Sequence, residues 1–136
     1  MGLEGGTEDM LDRLRTHLTH LLQSNPVGVL CAEGPTAMPV RFEAQGLDLL
    51  CRLPRWSDLA YHLEADQPIL LVVPIQATQR WLRYEGISQP APPVDDLYHT
   101  VRLTAIRIDL IDETRGWGAR ETLELSSNPR RNEPWI

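Results

Sequence analysis

Arg41, Arg52 and Arg55 fall within fifteen residues of one another, in a stretch that reads strand, turn, strand, proline corner and helix start. Fixed guanidinium charges gathered at strand ends and beside a helix N-terminus form forks that can hold a phosphate or another oxyanion. Each arginine also has a plainer reading. Arg41, in the alternating run Met38-Pro39-Val40-Arg41-Phe42-Glu43, fits a solvent-facing strand position with a glutamate across from it. Arg52 and Arg55, on either side of Leu53-Pro54, fit a solvated corner.

Other side chains with chemical potential lack partners in the sequence. His17 and His20 stand three apart on a helical stretch, a spacing two metal ligands can use, but no cysteine or second pair completes a metal site. His62 and His99 belong to different elements, Ser57 has no GxSxG context, and Cys51 has no identifiable histidine partner. Asp95-Asp96 and Asp109, Asp112, Glu113 follow no calcium-loop pattern. Trp56, Trp81 and Trp117 read as core or interface anchors rather than as a stacking platform.

These residues sit in a chain of 136 residues, one domain's worth, with a formal charge of −6. That acidity leaves no electrostatic footprint for a nucleic acid and directs attention to a local basic site instead. The two cysteines, Cys31 and Cys51, occupy apolar runs with no CxxC, as small core side chains do. A disulfide would require their strands to pair. The acidic N-terminus does not resemble a signal peptide, and the longest apolar run, residues 69–75, is too short to cross a bilayer. The expectation is a cytoplasmic protein with no membrane or nucleic-acid partner.

The elements that must position the arginines can be read from periodicity. Residues 1–7 are expected to be disordered, with Thr7 capping a helix that starts at Glu8. Its apolar face is Met10, Leu11, Leu14, Leu18, Leu21 and Leu22, and Asn25-Pro26 stops it. Strands follow at 27–33, 36–44 and 47–53, joined by the turns Gly34-Pro35 and Gln45-Gly46. Trp56, Leu59, Ala60 and Leu63 mark a short amphipathic helix with Ser57 as a candidate cap. Strands at 68–76, 80–88 and 98–112 come next, the last changing hydrophobic phase near Thr104-Ala105 as a bulge would make it. A brief helix is expected over 119–125, and 126–136 form a loosely ordered tail. The fold class is mainly β: a six-stranded antiparallel split barrel over 8–125, with an N-terminal helix and short flanking helices.

This order of elements resembles the FMN-binding split barrels related to pyridoxamine 5'-phosphate oxidase. The matching pieces are Val27-Gly28-Val29-Leu30, Pro39-Val40-Arg41-Phe42, Leu49-Leu50-Cys51-Arg52, Arg55-Trp56-Ser57 and Leu63 followed by Gln67-Pro68-Ile69-Leu70. Residues 81–87 look like the family's penultimate strand and 98–112 like its long last one. The resemblance implies a homodimer with FMN at the subunit interface and flavin redox chemistry. The backbone of Val40, Arg41 and Phe42 would lie beside the isoalloxazine ring, with Arg41 near the ring or the phosphate. Arg52, Arg55 and Ser57 would face the phosphate, and Trp117 would close the site from the other subunit. Three positions depart from the pattern. The small hydroxyl residue ending the third strand appears as Cys51-Arg52, the helix lysine falls near Leu59, and Trp56 replaces a small or basic residue. These departures also allow a cofactor-free split-barrel homodimer acting as a binding or assembly module. An unrelated small β-barrel, its arginines mere surface, is the third alternative.

Overall fold

Alternation of apolar and polar side chains folds this chain into antiparallel strands, and two-residue periodicity decides which face each residue takes. The computed structural model describes residues 3–32, 36–57, 60, 63, 67–75, 79–92 and 96–125. Helix α1 (Leu3–Ser24) is followed by β1 (Val27–Cys31), β2 (Ala37–Gln45), β3 (Asp48–Pro54), β4 (Gln67–Ile75), β5 (Arg80–Pro90), β6 (Tyr98–Asp112) and β7 (Arg120–Glu124). The strands lie in the order β3-β2-β1-β4-β5-β6, and β6 pairs back onto β3 to close a six-stranded antiparallel ring. β7 adds to the free edge of β6 outside that ring.

Inward-facing residues fill the barrel: Leu30, Val40, Phe42, Leu49, Cys51, Leu53, Leu71, Val73, Leu82, Tyr84, Val101, Leu103 and Ile108 are all buried. Leu14, Leu18, Leu21 and Leu22 of α1 are buried with them, and the helix packs against β2 and β7. Asn25 stops the helix as expected, its amide and side-chain nitrogen both donating to Leu21 O at 3.0 and 2.9 Å. The hairpin between β2 and β3 turns through Gly46-Leu47, where Gly46 takes φ 65°, a value natural for glycine in tight hairpin turns.

Several expectations need correction. α1 begins at Leu3, so residues 3–7 are helical and Thr7 is inside the helix rather than its cap. Met10 and Leu11 are exposed, because the helix meets the barrel only from Leu14 onward. Cys31 and Cys51, by contrast, agree with expectation: they are free thiols, on strands separated by β2. Residues 120–124 form β7, not a helix. Without β7 the Arg107 to Ile111 edge of β6 would lack its second partner strand. The pairing also supplies the buried Asp109 with a hydroxyl donor from Thr122 at 2.5 Å, beside the Nε of Arg107 at 3.3 Å. A helix here would forfeit those bonds, and leaving a buried carboxylate short of donors is costly. The expected helix at 56–63 falls largely outside the described residues, although Ala60 is helical. The tail beyond residue 125 lies outside them altogether.

The bulge is present, one residue from its expected place. Glu85 pairs with Arg107 and Gly86 with Ala105, leaving Ile106 unmatched. Strand approach is tight there: a Cβ on Gly86 would sit 2.5 Å from Thr104 O and 3.0 Å from the Tyr84 ring. Gly86→Ala is therefore expected to lower unfolding stability by about 1–3 kcal/mol. Urea denaturation measures this, and an unchanged midpoint would show that the two strands can part without cost.

Candidate functional site

Register decides which outward side chains meet. Arg41 on β2 lies opposite Arg52 on β3, and Arg52 lies opposite Thr100 on β6. These three form a lateral row across the outside of the barrel. The next row holds Glu43, Leu50 and Arg102, and beyond Thr100 the Pro54–Tyr98 pair follows. Arg41, Phe42, Glu43, Leu50, Arg52, Tyr98 and Thr100 line a groove of about 530 Å³, within the usual range of small-molecule sites.

The polar groups of the row lack partners. Among the described residues neither Arg41 nor Arg52 has a carboxylate within ion-pairing distance. Two like charges directly opposite each other on neighbouring strands repel. The hydroxyl of Thr100, a residue only 5 % exposed, is buried without a hydrogen-bond partner. Among the described residues Glu43 is the one carboxylate in the groove wall. Arg102, in its row, is drawn away to Asp48 at 3.8 Å. Among the described residues the groove thus presents two unpaired guanidinium forks on one side, with the Thr100 hydroxyl buried beside them, and the Glu43 carboxylate on the other.

The sequence-expected site residues are only partly brought together. Arg41 and Arg52 meet in the groove. Val40 and Phe42 send their side chains into the barrel core, so the strand offers its backbone at those positions. On its β3 side β2 is paired only from Arg41 to Gln45, so the stretch 37–40 bonds to β1 and, among the described residues, has no strand on its other edge. Arg55 is outside the groove lining, at the corner where its amide donates to Leu97 O at 3.2 Å. Ser57 is already engaged: its hydroxyl donates to Pro54 O at 2.7 Å and accepts from the Ala60 amide at 3.2 Å. Trp117 is 95 % exposed, in the turn between Gly116 and Gly118 ahead of β7, and does not touch the groove. Thr100, Tyr98 and Leu50 were not marked by sequence. Their sole signal is alternation along β3 and β6, which puts each on the outer face.

The remaining candidates do not assemble. His17 and His20 lie beside Asp9, Asp12 and Arg13 on the exposed face of α1, and no three metal-ligating side chains come together among the described residues. His62 and Asp95 are outside the described residues. Cys51 points into the core, where burial pushes its thiol up to about 12, so it stays protonated and cannot serve as a nucleophile. Tyr84 is likewise raised, first by burial and then by the Asp48 charge. Its hydroxyl lies 2.6 Å from Leu47 O and 3.2 Å from Leu103 O.

No protein-family model matches the sequence, and no curated protein does. The fold, by contrast, is shared with solved structures. General stress protein 26 from Bacillus anthracis is 16 % identical with a TM-score of 0.65, over 82 % of this chain and 98 % of that one. A Listeria innocua protein assigned to the pyridoxamine 5'-phosphate oxidases is 13 % identical, TM-score 0.60, over 71 % and 97 %. An FAD binding protein from Mycobacterium smegmatis is 16 % identical, TM-score 0.56, over 68 % and 88 %. A heme binding protein from the same organism is 12 % identical, TM-score 0.63, over 81 % and 57 %. At these identities the likeness shows the fold: a split barrel of the pyridoxamine 5'-phosphate oxidase type.

The Cys51 environment makes a pH prediction. Its folded pKa lies above the unfolded value of 9.0, so above about pH 9 the unfolded chain releases a proton that the native state retains. Stability is intact below that point and falls by roughly 1.4 kcal/mol per pH unit from about pH 9 upward. Tyr84 adds to the slope from about pH 10. Urea unfolding of wild type and Cys51→Ala between pH 8 and 10 is expected to show a shallower decline in the variant. Parallel declines would mean that the thiol is not held in its neutral form.

Proposed function

We propose that this split barrel binds a flavin, FMN, in the Arg41–Arg52–Thr100 groove and acts as an FMN-dependent oxidoreductase. One observation carries the reading: on a fold shared with a flavin-binding protein, unpaired guanidinium groups and an orphaned buried hydroxyl converge on one groove of ligand size. Cations without counter-charges and a buried donor without an acceptor are costs in the free protein that an anionic ligand relieves. Bound FMN supplies hydride or electron transfer. The chain's own part is to position it. The open edge of β2 at 37–40 and the backbone of Val40 to Phe42 flank the planar ring, and Tyr98 walls the groove. Arg41 and Arg52 neutralise the ligand's negative charge. No catalytic side chain is nominated, and the substrate class stays with the flavin's redox chemistry.

The protein works as a homodimer in this reading. The outer face of β1 shows Val27 at 43 % and Val29 at 38 % exposure, next to Pro39 on β2 and Val72 on β4. An apolar outer face on a barrel strand is a surface that gains from cover. It borders the groove directly, since Val27 lies opposite Arg41, so a second copy seated there would roof the site. Trp117, held out on its turn, is the candidate to reach across. Free thiols and the lack of any membrane-crossing helix among the described residues are consistent with a cytoplasmic location. A second reading, a cofactor-free binding or assembly module, is favoured by Ser57, whose committed hydroxyl is lost to a phosphate at the helix start.

Two measurements test this. Absorption of the purified protein, before and after FMN addition and desalting, is expected to show retained flavin bands at one per chain. A colourless protein that takes up no FMN at saturation would sink the flavin reading, and a Soret band on adding heme would replace it. Sedimentation at micromolar concentration is expected to show a dimer that Val29→Lys converts to monomer, because an unpaired charge buried in an interface costs several kcal/mol. A monomeric wild type would remove the interface.

A further inference from the structure

The row of Arg41, Arg52 and Thr100 keeps two of the arginines that the sequence offered to an anion and leaves out Arg55 and Ser57. A phosphate at the helix start would need the Ser57 hydroxyl and the first helix amides. The single proton of that hydroxyl is spent on Pro54 O, and the Ala60 amide is spent on Ser57. Arg55 stands beside this corner and outside the groove lining. In the row, nothing is spent. Arg41 and Arg52 lie opposite each other with no carboxylate to share among the described residues, and the Thr100 hydroxyl is buried in the groove wall without an acceptor. Glu43 lies one row away, with Leu50 opposite it.

We infer that this row is the oxyanion site of the groove and that Thr100 is a ligand-binding residue, its hydroxyl donating to a phosphate oxygen held between Arg41 and Arg52. Neighbouring strands lie about 4.8 Å apart, so the row spans roughly 10 Å, a width two long guanidinium side chains can close over one tetrahedral anion. That the phosphate belongs to FMN rests on the flavin reading above. The row itself requires only a phosphate or pyrophosphate group.

The identity of the donor makes an unusual demand on its mutant. Replacing a buried, unpartnered hydroxyl by an isosteric methyl removes a desolvation cost in the free protein. Thr100→Val is therefore expected to raise the melting temperature of the ligand-free protein, by about 3 °C. It should also weaken FMN about tenfold, a typical loss for a hydrogen bond to a charged group. Riboflavin, which lacks the phosphate, should bind within about twofold of wild type in the same titrations of flavin fluorescence, since it has no oxyanion to lose. Thr100→Ser should restore FMN binding, and Arg52→Ala should cost more than Arg55→Ala. The inference is overturned if Thr100→Val leaves FMN affinity unchanged, if FMN and riboflavin lose equally, or if Arg55→Ala proves the costlier variant. Should the wild type bind neither flavin, the flavin reading falls and the row is judged by calorimetric titration with inorganic pyrophosphate. Binding that Thr100→Val weakens would support the row without the flavin, and no binding by the wild type would overturn it.

Discussion

Closure of the barrel through the β3–β6 pairing is the constraint on which the rest depends. Six residue pairs from Leu49↔Leu103 to Pro54↔Tyr98 join strands separated by some fifty residues of chain. Such long-range pairings carry the largest loop-closure cost and must be secured by burial. Leu49, Cys51 and Leu53 on one strand meet Val101 and Leu103 on the other, all fully buried. The Tyr84 hydroxyl reaches carbonyls on both sides of the seam, at Leu47 and Leu103. The same pairing that seals the inside assembles the outside. Because Arg52 faces Thr100 across it, the groove exists only in the closed ring.

The bulge in β6 matters for the same reason. Up to Ala105 the odd-numbered residues of β6 point inward, and from Ile108 the even-numbered ones do. The unmatched Ile106 absorbs the change. A regular strand in the phase of Ile108 and Leu110 would turn Thr100 into the barrel and Val101 out to solvent. One inserted residue thus lets a single strand place Thr100 against Arg52 at one end and Asp109 against Arg83 and Arg107 at the other.

Much of the fold was legible from this chain because alternation is a local signal. The six ring strands, the Asn25 stop and the phase change in β6 all follow from residues a few positions apart. Features that depended on a distant partner were not legible. Residues 120–124 carry no strong strand pattern, and they become a strand because β6 offers an unfilled edge with Asp109 in need of a donor. The site divides in the same way. Arg41 and Arg52 announced themselves by charge and spacing, but whether they met was a question of β2–β3 register. Thr100 is an ordinary strand threonine until β3 is laid beside it.

The arginine corner shows how local chemistry can mislead about function. Arg55-Trp56-Ser57 has the residue types of an anion-binding helix start, and sequence alone cannot tell a donor that is free from one that is already used. The turn after Pro54 uses it: the Ser57 side chain and backbone both bond to Pro54 O, at 2.7 and 3.0 Å, and the next helical amide returns to Ser57. A capping serine stabilises its own helix at the expense of any ligand. The row on the barrel wall has the opposite character. Among the described residues its groups find no partner, and two opposed cations beside a buried hydroxyl make it less stable than leucine and valine would. Strain of this kind persists in a fold where something outside the fold relieves it, and on this barrel the Arg41–Arg52–Thr100 row is where such relief would act.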